Sequence, residues 1–238
     1  MENSVENVGN YVNPVIYFMK VIHMNNKTNE KKISTAVIRR LPRYFRYLRE
    51  LIRSDILRIS SRELSEKMNI TASQIRQDLN CFGGFGQQGY GYNVKSLYSE
   101  ISHILGVDSG ITAIIIGIGN VGKALVNNPL FEKRGIKVMG LFDTDPSIIG
   151  TSFGSLTVSD AKDMEKFCIE NNIDIAVLAI PKTAAKDTVK LLADCGVRGF
   201  WNFSNAEVTP PKGVHIENVH LGDSLMALCY DVAQDKIN

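Results

Sequence analysis

Apolar residues recur at helical spacing in the first part of the chain, between polar and basic positions. The stripe consists of Val37, Leu41, Phe45, Leu48 and Ile52. The arginines of the same stretch fall mostly off this stripe. The pattern therefore predicts a helix over 36–52 with one face in a core and a basic back.

Two more helices are predicted by capping boxes, in which a Ser or Thr is followed three residues later by Glu or Gln. Ser60 and Glu63 form the first of these pairs, and Thr71 and Gln74 form the second. A short turn at 69–70 separates the two helices. This is the layout of a helix-turn-helix whose recognition helix covers 71–80.

The predicted recognition helix has an apolar face and a polar face. Ile75 and Leu79, four residues apart, bury the first face. The other face carries side chains of the types that contact base edges: Ser73, Gln74, Arg76 and Gln77. Residues better suited to phosphate contacts lie before the helices or at their first positions: Arg58, Ser60, Ser61 and Thr71.

A glycine-rich segment with aromatic residues at intervals, 82–92, follows the recognition helix. Its glycines disfavour a helix, so it predicts a β-ribbon wing with Gln88 and Tyr90 as candidate DNA contacts. Residues 27–62 carry a net charge of +8 in a chain of +2, as expected of a module that binds a polyanion. Two alternatives to DNA binding remain: the basic residues form a solvated helix face, or the module is a three-helix dimerisation domain.

Beyond residue 106, short apolar strands alternate with helical segments, which predicts a Rossmann-type doubly wound parallel sheet. After the strand that ends at Asp143, the pattern predicts a helix over about 158–171, a strand over 173–179, a helix over 183–195 and a strand over 197–201. An amphipathic helix over 224–232 follows, with Leu225, Leu228 and Val232 on one face.

Three glycines follow the apolar run Ile114-Ile115-Ile116 at the spacing of a dinucleotide-binding loop. Gly117 permits a tight turn, Gly119 allows a pyrophosphate to approach the backbone, and Gly122 allows helix and strand to pack closely. The loop residues between them complete the candidate phosphate cradle: Ile118, Asn120 and Val121.

Asp143 lies 21 residues after Gly122 and suits a ribose diol, whereas it would repel a 2′-phosphate. NADH or NAD+ is therefore the expected cofactor, rather than NADP. Pro181 and Lys182 follow another strand, at the carboxyl edge where such sheets bind ligands. A glycine turn that binds nothing is one alternative, and a CoA-binding module, which would not require Asp143, is another.

The four cysteines, Cys81, Cys168, Cys195 and Cys229, are widely spaced and form no C-x-x-C motif. This indicates reduced thiols in a cytoplasmic protein without a metal site. The apolar stretch 12–22 is interrupted by Asn, Pro and Lys and predicts neither a membrane span nor a signal peptide. Residues 1–33 are expected to be a disordered leader, or to precede a true start at Met24.

Several motifs occur in a fixed order: IRRLPRYFRYLREL, TASQIRQDLNCFGGFGQQGYGYNV, IIIGIGNVGKAL, LFDTDP, AIPK, WNFS and IENVHLGDSL. Over about residues 34–232 they resemble the Rex family of redox-sensing transcriptional repressors. The resemblance implies a homodimer that binds a palindromic operator in double-stranded DNA and exchanges its C-terminal helix between subunits. Without exchange, that helix would be ordinary core. The resemblance also puts Asn202 and Phe203 on the nicotinamide side.

The expected domains are a leader (1–33), a winged-helix DNA-binding domain (34–106), a Rossmann NAD(H)-binding domain (107–212) and a C-terminal strand and exchanged helix (213–238). The resemblance implies that NADH binding favours a dimer geometry that releases the operator, so that the NADH/NAD+ ratio controls repression. The alternatives are an NAD-dependent oxidoreductase and a DNA-binding paralogue with a lost or altered NADH response. No Tyr-x-x-x-Lys pair or substrate domain supports the enzyme.

The resemblance further implies a redox relay of an arginine, a tyrosine and an aspartate. Arg46 matches the arginine, whereas Asn128 stands at the tyrosine position and His220 at the aspartate position. Asp223, one turn later, is a candidate substitute for the missing carboxylate. Two positions that are usually basic in the family carry glutamine, which implies fewer phosphate contacts or an altered operator: Gln77 and Gln88.

Overall fold

The computed structural model describes residues 34–81, 86–87 and 90–236. The chain divides into two compact units, with the boundary between Ser109 and Gly110. The expected leader, much of the expected wing and the candidate DNA contact Gln88 lie outside the described residues.

The described part of the N-terminal unit consists of helices and three short strands. They are α1 (Thr35–Arg53), β1 (Arg58–Ile59), α2 (Ser61–Met68), α3 (Ala72–Asn80), β2 (Gly86–Gln87), β3 (Gly91–Asn93) and α4 (Val94–Ile104). β3 lies in the middle of the sheet and pairs antiparallel with both β1 and β2. The helix-turn-helix followed by a β-ribbon confirms the predicted winged-helix fold.

The core of this unit is built on the predicted stripe of α1. Val37, Leu41, Phe45 and Leu48 are buried, whereas Ile52 is half-buried near the helix end. Around them pack residues from the other helices and from β3: Leu64, Met68, Ile75, Leu79, Tyr92, Leu97 and Ile101. The apolar periodicity of the sequence therefore identified the face of α1 that the rest of the unit covers.

The two predicted capping boxes have different outcomes. At the start of α2 the box is reciprocal, because the Ser60 hydroxyl accepts from the Glu63 amide at 3.1 Å and the Glu63 carboxylate accepts from the Ser60 amide at 2.7 Å. At the start of α3 the Thr71 hydroxyl accepts from the Gln74 amide at 3.1 Å. The second half of this box is wrong, since the Gln74 side chain donates instead to Asp78, one turn later.

Asp78 is a fully buried carboxylate that ties α3 to α1. Arg40 donates to both of its oxygens at 2.7 Å, and the Tyr44 hydroxyl donates to Oδ2 at 2.9 Å. Burial tends to raise the pKa of Asp78, but hydrogen bonds from Arg40, Gln74 and Tyr44 outweigh it and hold the pKa below the ordinary value of 3.8. Burial and the bond to Asp78 raise the pKa of Tyr44, so the phenol stays a donor.

The C-terminal unit is an α/β domain. Its elements are β4 (Thr112–Ile116), α5 (Asn120–Val126), β5 (Lys137–Asp143), β6 (Ser152–Phe153), β7 (Leu156–Asp160), α6 (Met164–Asn171), β8 (Ile175–Leu178), α7 (Lys182–Asp194), β9 (Gly199–Asn202), β10 (His215–Asn218) and α8 (Leu221–Asp235). The sheet order is β10-β9-β8-β4-β5-β7-β6, parallel except for the β6–β7 pair. The six parallel strands have the classical Rossmann order, which confirms the predicted fold class.

The helix predicted over 158–171 is wrong at its start. β7 occupies Leu156–Asp160, and a 3₁₀ turn precedes α6, which begins at Met164. Val158 is buried between exposed Thr157 and Ser159, which is the alternation of a half-buried strand. Asp160 ends the strand by accepting from the Lys162 amide at 3.0 Å, so the helical pattern applies only after this turn.

The two faces of the sheet are covered unequally. α6 and α7 pack on one face around Ile114, Ala176 and Leu178. The other face carries α5 and the segment around Phe131, and a groove of about 780 Å³ remains over β8, β9 and β10. No residue of α8 is buried against the described chain, including the predicted apolar face of Leu225, Leu228 and Val232.

The low pKa of Asp78 predicts an acid-sensitive N-terminal unit. A depressed folded-state pKa contributes stability above the unfolded pKa and loses it as the pH falls through the folded value. We therefore expect Asp78→Asn to have a lower unfolding free energy than the unaltered chain at pH 7, with this difference shrinking below about pH 4. Urea unfolding from pH 7 to pH 3, followed by circular dichroism, measures this. Asp55→Asn, at an exposed carboxylate of the same unit, is the control, and equal pH dependence in both variants would contradict the prediction.

Candidate functional site

The glycine-rich loop lies between β4 and α5, at the carboxyl end of the central strand. Gly117 has φ +86°, and its amide donates to the Phe142 carbonyl at 2.8 Å. A Cβ at Gly117 would collide with the Ala179 carbonyl, and a Cβ at Gly122 would collide with the Gly117 carbonyl. The tight turn and the close helix–strand packing that the sequence predicted for these two glycines are therefore confirmed.

Gly119 differs from the other two glycines of the loop. Its φ of −75° is open to any residue, and a Cβ built there would meet no described atom within 4 Å. Gly119 and Asn120 are exposed. No contact within the described chain therefore requires glycine at this position, and the space in front of it is open to a ligand.

Asp143 ends β5 and is joined to the glycine loop. Its Oδ2 accepts from the Ile118 amide at 2.6 Å, and its Oδ1 accepts from the amides of Thr144 at 2.7 Å and Asp145 at 2.9 Å. Ile118 itself turns a fully buried side chain inward. Because a carboxylate has about four acceptor positions, Asp143 retains capacity for a further donor while fixing the loop.

Pro181 and Lys182 lie beside the same loop. Pro181 caps α7, which begins at Lys182, and both residues are exposed. The Gly117 position faces Ala179 and Ile180, so the ends of β4 and β8 meet here. The chain reverses its direction of winding between these two strands, which is where doubly wound sheets bind ligands.

Asn202 is buried at the end of β9, and its side chain is fully used by the protein. Its Nδ2 donates to the Ala206 carbonyl at 2.8 Å and to Asn218 Oδ1 at 2.9 Å, while its Oδ1 accepts from the Ser204 amide and hydroxyl. This side chain shapes the loop after β9 and would have to give up a bond to touch a ligand. Phe203 is half-buried against Trp201.

The four candidate switch residues divide between the two units. Arg46 is exposed on α1, and Asn128 is exposed after α5. His220 Nε2 lies 2.8 Å from Glu207 Oε1, at the start of α8. Asp223 is exposed, so the carboxylate against His220 comes from Glu207, which the sequence analysis did not single out.

The polar face of α3 is bordered by two contacts that hold basic side chains. Arg76 donates to the Ser61 hydroxyl at 2.9 Å. Arg58 donates to the Tyr90 carbonyl at 3.3 Å and lies 5.9 Å from the centre of the Tyr90 ring. Four predicted DNA contacts thus lie in two pairs, Arg76 with Ser61 and Arg58 with Tyr90.

The remaining predicted DNA contacts divide into exposed residues and caps. Ser73 and Gln77 are exposed on α3. Ser60 and Thr71 accept hydrogen bonds as caps but keep their hydroxyl protons, which can be donated to phosphate. Among the described residues, no group of His, Cys, Asp and Glu could hold a metal ion, and no helix is long and apolar enough to cross a membrane.

The glycine geometry predicts opposite stabilities for two Ala substitutions. Gly122→Ala should cost about 2 to 3 kcal/mol of unfolding free energy, because the new methyl group meets backbone that cannot move aside. Gly119→Ala, at the N-cap position of α5, should cost no more than about 1 kcal/mol. Urea unfolding of both variants, followed through the single tryptophan, Trp201, measures the difference. Equal losses would contradict the packing role of Gly122.

Two family models match the chain, one in each unit. Residues 32–80 match "Putative DNA-binding protein N-terminus", and residues 108–206 match "CoA binding domain". The second model covers the Rossmann-type sheet, so it agrees with the fold and leaves open which nucleotide is bound.

Close relatives carry one name. The redox-sensing transcriptional repressor Rex of Thermoanaerobacter pseudethanolicus is 51% identical over 90% of this chain and 94% of its own, and that of Clostridium botulinum strain Eklund 17B is 48% identical over 87% and 98%.

Solved structures agree. RSP, a Rex-family repressor, has been solved in complex with NAD+ and operator DNA. That structure matches with a TM-score of 0.81 and 50% sequence identity, over 87% of this chain and 95% of RSP. The structure of RSP with NADH matches with a TM-score of 0.80 and 48% identity, over 87% of this chain and 98% of RSP. With about half of its residues identical along nearly the full length of these repressors, the chain belongs to the Rex family of redox-sensing transcriptional repressors.

Proposed function

We propose that this chain is a transcriptional repressor that binds operator DNA and releases it when NADH occupies the Rossmann unit. The observation that carries the proposal is that one chain contains both parts of RSP, which has been solved with NAD+ and operator DNA together. The relatives are repressors, so they give no support to the oxidoreductase alternative. A repressor that acts on chromosomal DNA works in the cytoplasm.

The DNA contacts come from α3 and from the elements beside it. Gln74, Arg76 and Gln77 lie on the face that would enter the major groove, and Ser73 lies at its start. Arg58, Ser60, Ser61 and Thr71 contact phosphates, and Tyr90 contacts DNA from the β-ribbon. Gln88, which lies outside the described residues, is a further proposed contact. Gln77 and Gln88 bring no positive charge, so the salt dependence of binding is shallower than with basic residues there.

The dinucleotide binds across the switch point of the sheet. Backbone amides of the 117–122 loop contact the pyrophosphate, and the open space at Gly119 admits it. Asp143, already fixed to the loop, contacts the ribose. Pro181, Lys182 and the Phe203 loop border the nicotinamide side, where Asn202 acts by holding that loop in shape.

The functional unit is a homodimer. α8 exposes a run of large apolar side chains: Leu221, Leu225, Met226, Leu228, Tyr230 and Val232. The same unit has an uncovered groove over β8, β9 and β10. Apolar surface of this extent on a helix calls for a second surface to cover it. An isologous dimer with exchanged helices provides one, and its two recognition helices suit a palindromic operator.

The first experiment is a titration of DNA binding by both oxidation states of the cofactor. A labelled palindromic AT-rich duplex is bound by the purified chain at fixed salt, and fluorescence anisotropy follows the addition of NADH and then NAD+. We expect release by NADH and retention with NAD+, since a ligand that binds both dimer geometries equally shifts nothing. Binding indifferent to both would indicate a paralogue with a lost response.

Gly119→Ala is the matched variant for this titration. It should keep the DNA affinity of the unaltered chain and lose no more than about 1 kcal/mol of stability, because its Cβ meets no described protein atom and only the N-cap preference of α5 is affected. It should need about ten times more NADH for release, since the methyl group fills space that the pyrophosphate requires. An unchanged NADH titration would place the pyrophosphate elsewhere.

The carboxylate of the switch is a separate question, which two variants decide. Glu207 holds His220 and also accepts from Asn218 at 3.0 Å, so we expect Glu207→Gln to weaken NADH-driven release by at least about threefold. Asp223→Ala tests the alternative carboxylate one turn later. If Asp223→Ala weakens release and Glu207→Gln does not, Asp223 is the substitute and Glu207 has no part in coupling.

A further inference from the structure

Asp78 contacts a residue of the DNA-facing surface from inside the protein. Its side chain is completely buried between α3 and α1, yet its Oδ1 accepts from Nε2 of Gln74 at 2.8 Å. Gln74 lies one turn earlier on α3, at the border between the buried and exposed faces. A buried carboxylate thus holds a side chain of a type that reads adenine.

The chemistry of Asp78 decides which end of the Gln74 amide faces it. Arg40 pairs with both oxygens of Asp78, and the phenol of Tyr44 donates to one of them. An ionised carboxylate accepts and cannot donate. Only the nitrogen end of the Gln74 amide can therefore face Asp78, so the orientation of this amide follows from the ion pair.

The fixed amide matches what adenine presents in the major groove. One N–H of Gln74 is used by Asp78, while its second N–H and its oxygen make no hydrogen bond within the described chain. Adenine offers an N6 donor and an N7 acceptor, which pair with the oxygen and the N–H of one amide. A reversed or freely rotating amide would lose this pattern in part of its population.

We propose that Asp78 is a positioning residue for base recognition, which orients the Gln74 amide towards one adenine of each operator half-site. The inference rests on the proposed DNA-binding function. The other polar side chains of α3 are held differently, because Arg76 donates to Ser61 and no described contact orients the side chain of Gln77. Gln74 is thus the residue on which the buried ion pair acts.

The chain offers a matched pair of variants for the test. Asp78→Asn keeps the shape but has only one accepting oxygen. We expect this oxygen at the Oδ2 position, where Arg40 Nε and Tyr44 donate, and the amide nitrogen at the Oδ1 position, so the Gln74 amide must reverse. Tyr44→Phe removes another hydrogen bond of the same carboxylate and leaves the Gln74 contact intact. Both variants weaken the same network, and only Asp78→Asn alters the orientation of Gln74.

The measurement is a base-by-base affinity profile. The unaltered full-length chain selects a preferred duplex from a randomised pool, and each base pair of that duplex is then substituted in turn at fixed salt. We expect Gln74→Ala to reduce discrimination at one symmetry-related A·T pair by roughly tenfold. Asp78→Asn should reduce discrimination at the same base pair, and combining Gln74→Ala with Asp78→Asn should reduce it no further. Tyr44→Phe should leave the affinity profile unchanged.

Other outcomes overturn the proposal. Loss of affinity for every sequence in both Asp78→Asn and Tyr44→Phe, in step with their melting temperatures, would make Asp78 a purely structural residue. Changes at different base pairs in Gln74→Ala and Asp78→Asn would separate the two residues. A chain that selects no sequence at all would overturn the DNA-binding function with it, whereas selection that is indifferent to Gln74 would overturn this inference alone.

A second measurement covers the case in which Asp78→Asn does not fold. In the free unaltered chain, side-chain amide NMR signals of Gln74 and Gln77 are assigned by their loss in the respective Ala variants. The Gln74 amide should have a high order parameter and the exposed Gln77 amide a low one. Equal mobility of the two amides would contradict positioning by Asp78.

Discussion

The C-terminal unit is organised around a point where backbone segments approach too closely to leave room for a side chain. Gly122 packs against the carbonyl of Gly117, and Gly117 packs against the end of β8 at Ala179. Asp143 closes the arrangement from β5 by accepting from the Ile118 amide. Three neighbouring strands are thus joined at their carboxyl ends through one loop, and the proposed phosphate cradle is the outer side of the same loop. Its geometry depends on packing that exists without a ligand, which is the preorganisation that binding rewards.

A buried ion pair has the comparable role in the N-terminal unit. Arg40 and Asp78 fix the angle between α1 and α3, and breaking such a pair leaves an uncompensated charge in the interior. An apolar pair could hold the helices together with similar stability, but it would not orient neighbouring hydrogen-bond donors. The Asp78 carboxylate does orient them, because it accepts hydrogen bonds from Arg40, Tyr44 and Gln74. The interior polar group thus links packing to recognition.

The sequence predicted those features that local patterns encode. The stripe of α1, the caps at Ser60 and Thr71, and the alternation of strands and helices follow from periodicities of a few residues. The glycine spacing even separated two packing glycines from one that faces open space. The helix expected from 158 began six residues late because a strand of Leu156–Asp160 and a turn precede it, and single-residue alternation is easily lost in so short a segment.

The contacts that the sequence analysis missed join residues across long separations. Arg40 and Asp78 are 38 residues apart, and Glu207 and His220 are 13 apart with β10 between them. No period connects such positions, so only the folded chain reveals them. Asp78 had one local sign, a charged residue directly before Leu79 and three after Ile75, on the buried side of α3. A charged residue on an apolar helix face indicates a partner of opposite charge close to the core. The arginines of α1 were the candidates for this partner.

The exposed α8 constrains how the two activities can be connected. A helix with this much apolar surface and no residue buried against the described part of its own chain gains stability when another surface covers it. His220, directly before α8, is hydrogen-bonded to Glu207, which lies a short distance along the chain from the loop that Asn202 shapes beside the proposed cofactor region. In the proposed cofactor site, contacts on that loop therefore act on the segment that leads into α8. In the proposed dimer, a ligand bound there shifts the equilibrium between the two geometries only through the difference in its affinity for them. NADH and NAD+ must therefore differ in their contacts near this loop for the redox state to reach DNA.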